Sequence, residues 1–171
     1  MKVPANASDT ASPNVVPYRE EFRNAFAELN RDWIEKYFVL EDEDREVLGD
    51  PRGRILEKGG EVFFVLADGE VQGTCAVLRH GADCEIAKMA VAPAARGRGF
   101  GDLLMDAAIG FAAGLGVRRV IIVSNTLLEP AIRLYRKHGF VEVPMTGDGR
   151  YQRANIRLER ELGASTPAPS A

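Results

Sequence analysis

Cysteine, histidine and long apolar runs are all scarce in this sequence, and each scarcity removes a class of answers. Two cysteines, Cys75 and Cys84, among 171 residues do not make the disulfide framework of a small secreted domain. No CxxC and no cysteine–histidine spacing suits zinc, so no metal is expected. Both thiols fall inside strand-like runs and read as small buried apolar side chains. No run approaches the ~18 apolar residues of a membrane span. The N-terminal MKVPANASDTASPN has no hydrophobic signal core. No membrane partner is expected, and the cytoplasm is the default compartment. A net charge of -3 with no basic face argues against nucleic acid as a partner. No internal repeat stands out.

The length fits one domain. Residues 1–14 are small, polar and proline-containing and read as a flexible leader. Residues 163–171, GASTPAPSA, read as a disordered tail, leaving 15–162 as the domain. From Tyr18 to Tyr37, Phe22, Phe26, Leu29, Trp33 and Tyr37 recur at three- and four-residue steps, one apolar stripe on a helix. An acidic helical stretch follows from Glu41 to Leu48, broken at Asp50-Pro51. Strand-like runs cover 61–67, 70–78 and 83–91, with Asp68-Gly69 as a hairpin turn between the first two. They predict an antiparallel meander. After a glycine-rich loop, Phe100, Leu103, Leu104, Ala107, Phe111 and Leu115 mark a helix that Gly116 ends. A continuously apolar strand spans 118–124. A helix follows over 129–138, with Pro130 in its first turn. A short strand covers 140–143 and a last one 152–160. The order predicts a mixed α/β sheet flanked by helices.

The chemistry concentrates in Val91-Ala92-Pro93-Ala94-Ala95-Arg96-Gly97-Arg98-Gly99-Phe100-Gly101, a strand, a glycine-rich loop and a helix start. Unpaired amides at a helix N-terminus suit a phosphate or pyrophosphate, and glycine lets that ligand approach the backbone. Arg96 and Arg98 add positive charge. No Lys-Ser/Thr follows the last glycine, so the loop is not a Walker loop. The glycine spacing is not GxGxxG, and no Rossmann-length unit surrounds it. A purely structural turn is the remaining alternative.

Arg96-Gly97-Arg98-Gly99-Phe100-Gly101 resembles the (Gln/Arg)-x-x-Gly-x-(Gly/Ala) motif of the GNAT family of N-acetyltransferases. Val91-x-Pro93 is also typical of that family. The segment SNTLLEPAIRLYRKHGF is similar to its Asn…Ala-x-x-Leu-Tyr-x-x-x-Gly-Phe. The resemblance covers residues 18–160, with its motifs mainly between 85 and 140. It implies a GNAT-like fold whose mixed central sheet is splayed between strands 4 and 5, and acetyl-CoA as co-substrate. A bulge in the fourth strand would open that splay. The pantetheine arm would bond to the backbone of Met89 and Val91, and the pyrophosphate would sit on the amides from Arg96 to Gly101. Asn125 matches a position that contacts the cofactor arm.

The same resemblance implies Tyr135 as the acid that protonates the departing CoA sulfur. An ordinary phenol, with a pKa near 10, starts protonated. The alternative is a core aromatic beside Leu128, Ala131 and His138. Glu85 matches the fourth-strand glutamate that deprotonates the amine, and burial would raise its pKa toward neutrality. The alternative is a surface strand glutamate. The closest match to a fifth-strand acid used by some members is Val123, which cannot serve. That departure favours Glu85 or a water chain, or an amine that arrives neutral. Met89 or Val91 would supply the oxyanion's amide donor.

His80, at a hairpin tip, reads as solvated, and His138, at a helix C-terminus, as structural. Lys88 lies on the catalytic strand and either faces substrate or snorkels. Arg133, Arg136 and Lys137 read as a solvated helix face. Arg150, Tyr151 and Arg153 are candidates to line the acceptor pocket. Trp33, Tyr37 and Phe38 with Glu41 to Asp44 offer an aromatic and acidic rim for a cationic amine. Core packing and helix-start charge are the competing reading, and the better one. The expected function is acetylation of a small-molecule primary amine by direct attack on the thioester. A protein lysine or N-terminal acetyltransferase, and a non-catalytic acyl-CoA sensor, are the alternatives. The expected state is monomer or homodimer.

Overall fold

A computed structural model describes residues 12–145 and 149–163. The tail from 164 and the first eleven residues of the leader lie outside the described residues. Asn14, assigned above to the leader, belongs instead to β1, Asn14–Pro17, which the sequence reading passed over. A helical turn at Glu20–Phe22 leads into α1, Arg23–Tyr37. α2, Asp42–Gly49, and α3, Pro51–Arg54, follow. The meander is β2, Glu61–Ala67, β3, Glu70–His80, and β4, Asp83–Val91. Then come α4, Phe100–Gly114, β5, Arg119–Ser124, and α5, Glu129–Lys137. The chain closes with β6, Val141–Val143, and β7, Ile156–Glu161.

These strands form one seven-stranded sheet in the order β1-β2-β3-β4-β5-β7-β6. Every neighbouring pair is antiparallel except β4 and β5, which run parallel. Side chains alternate across it, as the period of two requires. Val62 and Phe64 join Phe26, Ile34, Val47 and Leu48 on the α1–α2 face, while Val65, Cys75 and Val77 join Phe100, Leu104 and Tyr135 on the α4–α5 face. Both cysteines are free and fully buried. On α1 the buried row is Phe26, Asn30 and Ile34, not the full stripe named above. Asn30 is satisfied locally: its Nδ2 donates to the Phe26 carbonyl at 3.0 Å and its Oδ1 accepts from Trp33 Nε1 at 3.1 Å.

The last strand starts at Ile156, later than expected, because residues 150–155 are engaged elsewhere. Gln152 N–H donates to Glu41 Oε1 at 2.8 Å, and Asn125 Nδ2 donates to the Arg153 carbonyl at 2.7 Å. Pairing with β5 begins only at Ser124↔Ile156.

Two features of β4 position the site. Its parallel pairing with β5 covers only Asp83↔Arg119, Cys84↔Val120 and Glu85↔Ile121. Beyond Glu85 the strands separate, so the sheet is splayed between strands 4 and 5. Further along, the register against β3 jumps from Ala76↔Ala87 to Thr74↔Ala90. Lys88 and Met89 together face Cys75, a β-bulge. Lys88 takes the left-handed conformation there, with φ 53°, which costs a non-glycine residue about 1–2 kcal/mol. The surrounding contacts must supply that energy.

Candidate active site

The opening between β4 and β5 continues into a cavity of about 560 Å³. Glu85, Met89, Val91, Arg96, Gly97, Gly99, Gly101, Asn125 and Tyr135 all line it. Arg98 does not. It pairs with Asp68 at 3.0 Å and lies 4.7 Å over the Phe100 ring, so its charge is committed to the loop's outer side.

Gly99 is the N-cap of α4 with φ 81°, and no side chain caps that helix end. The first-turn amides are therefore unclaimed by any capping side chain, and a methyl at Gly99 would meet nothing within 4 Å. Room and donors coincide, which suits an anionic ligand. Gly101 has a different reason: a Cβ there would come to 3.0 Å from Leu134 Cδ2, so glycine lets α4 pack closely on α5. Asn125 is committed too, since Leu127 N–H donates to its Oδ1 at 2.8 Å while its Nδ2 holds the Arg153 carbonyl.

Tyr135 is buried and lines the cavity, and among the described residues its hydroxyl has no hydrogen-bond partner. Burial pushes its phenol well above the ordinary value, so it keeps its proton.

Glu85 is 2% exposed. Its Oε2 accepts from Arg150 and lies 3.3 Å from His80 Nε2, while its Oε1 is buried without a partner. Burial favours the neutral acid, but His80 and Arg150 outweigh it and hold the carboxyl below the usual range. The expected rise toward neutrality is thus reversed by those two side chains. His80 is exposed at the hairpin tip, as read, yet it reaches Glu85, a contact the sequence reading did not include.

The end of the cavity beside α1 and residues 151–153 holds a charge network that the sequence did not reveal. Asp44 is fully buried; it meets Lys88 Nζ at 2.5 Å and both terminal nitrogens of Arg153 at 2.6 and 2.7 Å. Burial pushes Asp44 up, yet Arg153 and Lys88 prevail and set its pKa at about 2. Lys88 also donates to the Tyr151 hydroxyl at 3.0 Å. The Arg153 guanidinium lies 4.6 Å from the Tyr151 ring, 5.9 Å from Trp33 and 6.0 Å from Phe38. The aromatic and acidic set offered above to a cationic substrate is therefore filled by the protein's own arginine. Local sequence spacing carries no signal for this, because Asp44 and Arg153 are 109 residues apart.

Among solved structures the chain is similar to a GNAT-family acetyltransferase from Staphylococcus aureus, with TM-score 0.80, 17% identity, and 88% and 99% of the two chains covered. An acetyltransferase from Streptococcus agalactiae gives TM-score 0.76 at 17% identity, covering 88% of this chain and 98% of that one. A phosphinothricin acetyltransferase from Sinorhizobium meliloti, in complex with AcCoA, gives 0.72 at 21%, with 90% of each chain covered. The fold is thus that of acetyltransferases. No curated protein matches the chain by sequence. The family model described as acetyltransferase (GNAT) family matches residues 10–140, and the chain belongs to that family. Acetyl-CoA is the family's co-substrate. The residues present fit it: an uncapped helix start beside open space, and a strand edge without a partner beyond Glu85. No described helix is long and apolar enough to cross a membrane.

Replacing Gly99 with valine sets a branched side chain on a left-handed backbone at this helix start. Calorimetric titration with acetyl-CoA should show at least a ~10-fold loss of affinity, equivalent to about 1.4 kcal/mol, while circular dichroism stays unchanged. Undiminished affinity would place the pyrophosphate elsewhere.

Proposed function

We propose that the chain transfers the acetyl group of acetyl-CoA to a primary amine of a small molecule, by direct attack of the amine on the thioester. The observation that carries this reading is one continuous cavity of about 560 Å³. It runs from the split between β4 and β5 to a chamber walled by Leu29, Trp33 and Tyr37 of α1 and by Tyr151 and Arg153. The volume falls in the range of small-molecule sites, about 300–1,000 Å³. A wall of that kind favours a compact acceptor over a peptide laid in an open groove.

Acetyl-CoA supplies an acyl group already activated as a thioester. In this reading the α4 amides and Arg96 hold its pyrophosphate, and the free edge of β4 at Met89 and Val91 orients its arm. The Tyr135 hydroxyl holds a proton for the departing thiolate. Glu85 Oε1, buried and unpartnered, takes a proton from the amine. Because His80 and Arg150 keep Glu85 ionised, it is a weak base, and the amine's own ionisation governs the pH dependence.

The test is thiol release over a panel of small primary amines alongside lysine-containing peptides. Turnover on small amines supports the proposal, and turnover confined to peptides overturns it. With a good acceptor, kcat/KM should climb about tenfold per pH unit from about pH 6 to about pH 9. Glu85 is already ionised across that window, while an alkyl amine with a pKa of about 10 is still losing its proton. A plateau near neutrality would assign the limb to an enzyme group instead.

A further inference from the structure

A second cavity, of about 170 Å³, lies on the other side of Glu85. Arg54, Lys58, Arg79, His80 and Arg150 line it, with Glu43 as the one acid in its wall among the described residues. Arg54 is paired with Glu46. Among the described residues, Lys58 and Arg79 make no ion pair and no hydrogen bond. The charges of Lys58 and Arg79, beside those of Arg54 and Arg150, meet around a concave space, and an anion there relieves their mutual repulsion. The volume suits a tetrahedral oxyanion.

The two cavities share a partition. Glu85 lines the larger one, and its partners His80 and Arg150 line the smaller. Only one Glu85 oxygen is engaged by them, and the other is buried without a partner. An anion in the second cavity would draw on the same two side chains that now serve Glu85.

We propose that this second cavity binds a free phosphate-class oxyanion through Lys58, Arg79, His80 and Arg150, in competition with Glu85 for the last two. The competition is reciprocal, as any coupling between two binding equilibria must be. An oxyanion in place loosens the hold on Glu85 and makes its carboxylate a better proton acceptor for the amine. That consequence rests on the role of Glu85 proposed above. The site and its coupling do not, and they are measured without turnover.

The chain has two histidines, which makes the experiment direct. His138 sits 2.8 Å from Asp102 and is absent from this cavity, so it serves as the internal reference. In the full chain labelled at histidine, inorganic phosphate is titrated at constant ionic strength and followed by NMR. His80 should shift saturably while His138 stays still. Lys58→Ala/Arg79→Ala, which alters only exposed side chains, should weaken phosphate at least ~10-fold with an unchanged melting temperature. Glu85→Gln removes the competing charge and should tighten phosphate by about fivefold or more, the lower range of typical coupling. No saturable shift at His80, or an equal Kd in the double variant, overturns the site. An unchanged Kd in a folded Glu85→Gln protein overturns the coupling. A failure of Glu85 as proton acceptor would appear in the pH–rate profile instead and leave these titrations intact.

Discussion

Asp44→Ala will destabilise the fold by about 3–5 kcal/mol, because it strands the buried Lys88 and leaves the half-buried Arg153 with Glu41 alone. Lys88 is 6% exposed, and Arg153 gives two hydrogen bonds to this carboxylate. For a chain of this size the melting temperature should fall by about 10 °C or more. The same carboxylate makes acid stability predictable. Its pKa is about 2 when folded against an ordinary 3.8, so its contribution is complete above the ordinary value. It is lost as pH falls through the folded one, and it amounts to about 2 kcal/mol. In the alanine variant this part of the acid dependence disappears. A melting temperature within ~2 °C of the parent, roughly 1 kcal/mol at this size, would mean that the network contributes nothing net. The variant also frees Lys88 in its left-handed bulge, so the site and the fold are tested together.

If Tyr135 gives up its proton as proposed above, Tyr135→Phe will lower kcat by about 10²–10⁴-fold, the usual worth of positioned proton transfer. The affinity for acetyl-CoA and the melting temperature should both hold. The ring packs in the core with Ile132 and Phe140, and phenylalanine keeps that packing. The hydroxyl has no partner among the described residues, so its loss orphans nothing. Single-turnover thiol release beside a calorimetric acetyl-CoA titration separates the two effects. Unchanged turnover removes Tyr135 from proton transfer, and a lost cofactor affinity would make its role one of packing.

What the sequence made legible was local. β2 and β4 fall where alternation and the Asp68-Gly69 turn put them, because strand period and turn chemistry are properties of neighbouring residues. The loop at 96–101 was readable for the same reason: its glycines and the helix start lie within six residues of one another. β1 was not, since Asn14–Pro17 is four residues long and takes strand form only by pairing with β2 at the sheet edge. Pro17 is tolerated there because an edge strand can spare a donor. Asn30 hid the buried face of α1, because its amide is satisfied within the helix and so violates the apolar pattern without penalty.

The candidate site divided along the same line. Most of its cavity-lining residues singled out above come from two contiguous segments, whereas its charge pairs could not be named that way. The acids at 41–44 read as helix-start charge, and Glu41 N–H does donate to Asp44 Oδ2 at 2.9 Å. Their larger roles depend on residues far along the chain. Glu85 shows the limit for proton affinity as well. A buried and a surface position were both open to it, and the side chains that reverse the effect of burial come from a hairpin tip and from a loop 65 residues away.

The tie between α2 and the 150–155 segment also fixes an order of assembly. β2, β3 and β4 are consecutive hairpins, and the glycine loop and α4 follow them directly, so this half of the molecule needs only short loops to close. The cavity wall at 151–153 needs Arg153 to find Glu41 and Asp44 across 112 and 109 residues. Closing a loop of that length costs chain entropy before any contact returns it. The half proposed above to receive acetyl-CoA can therefore take shape first. The far end of the cavity is completed only when residues 150–155 fold back onto α2.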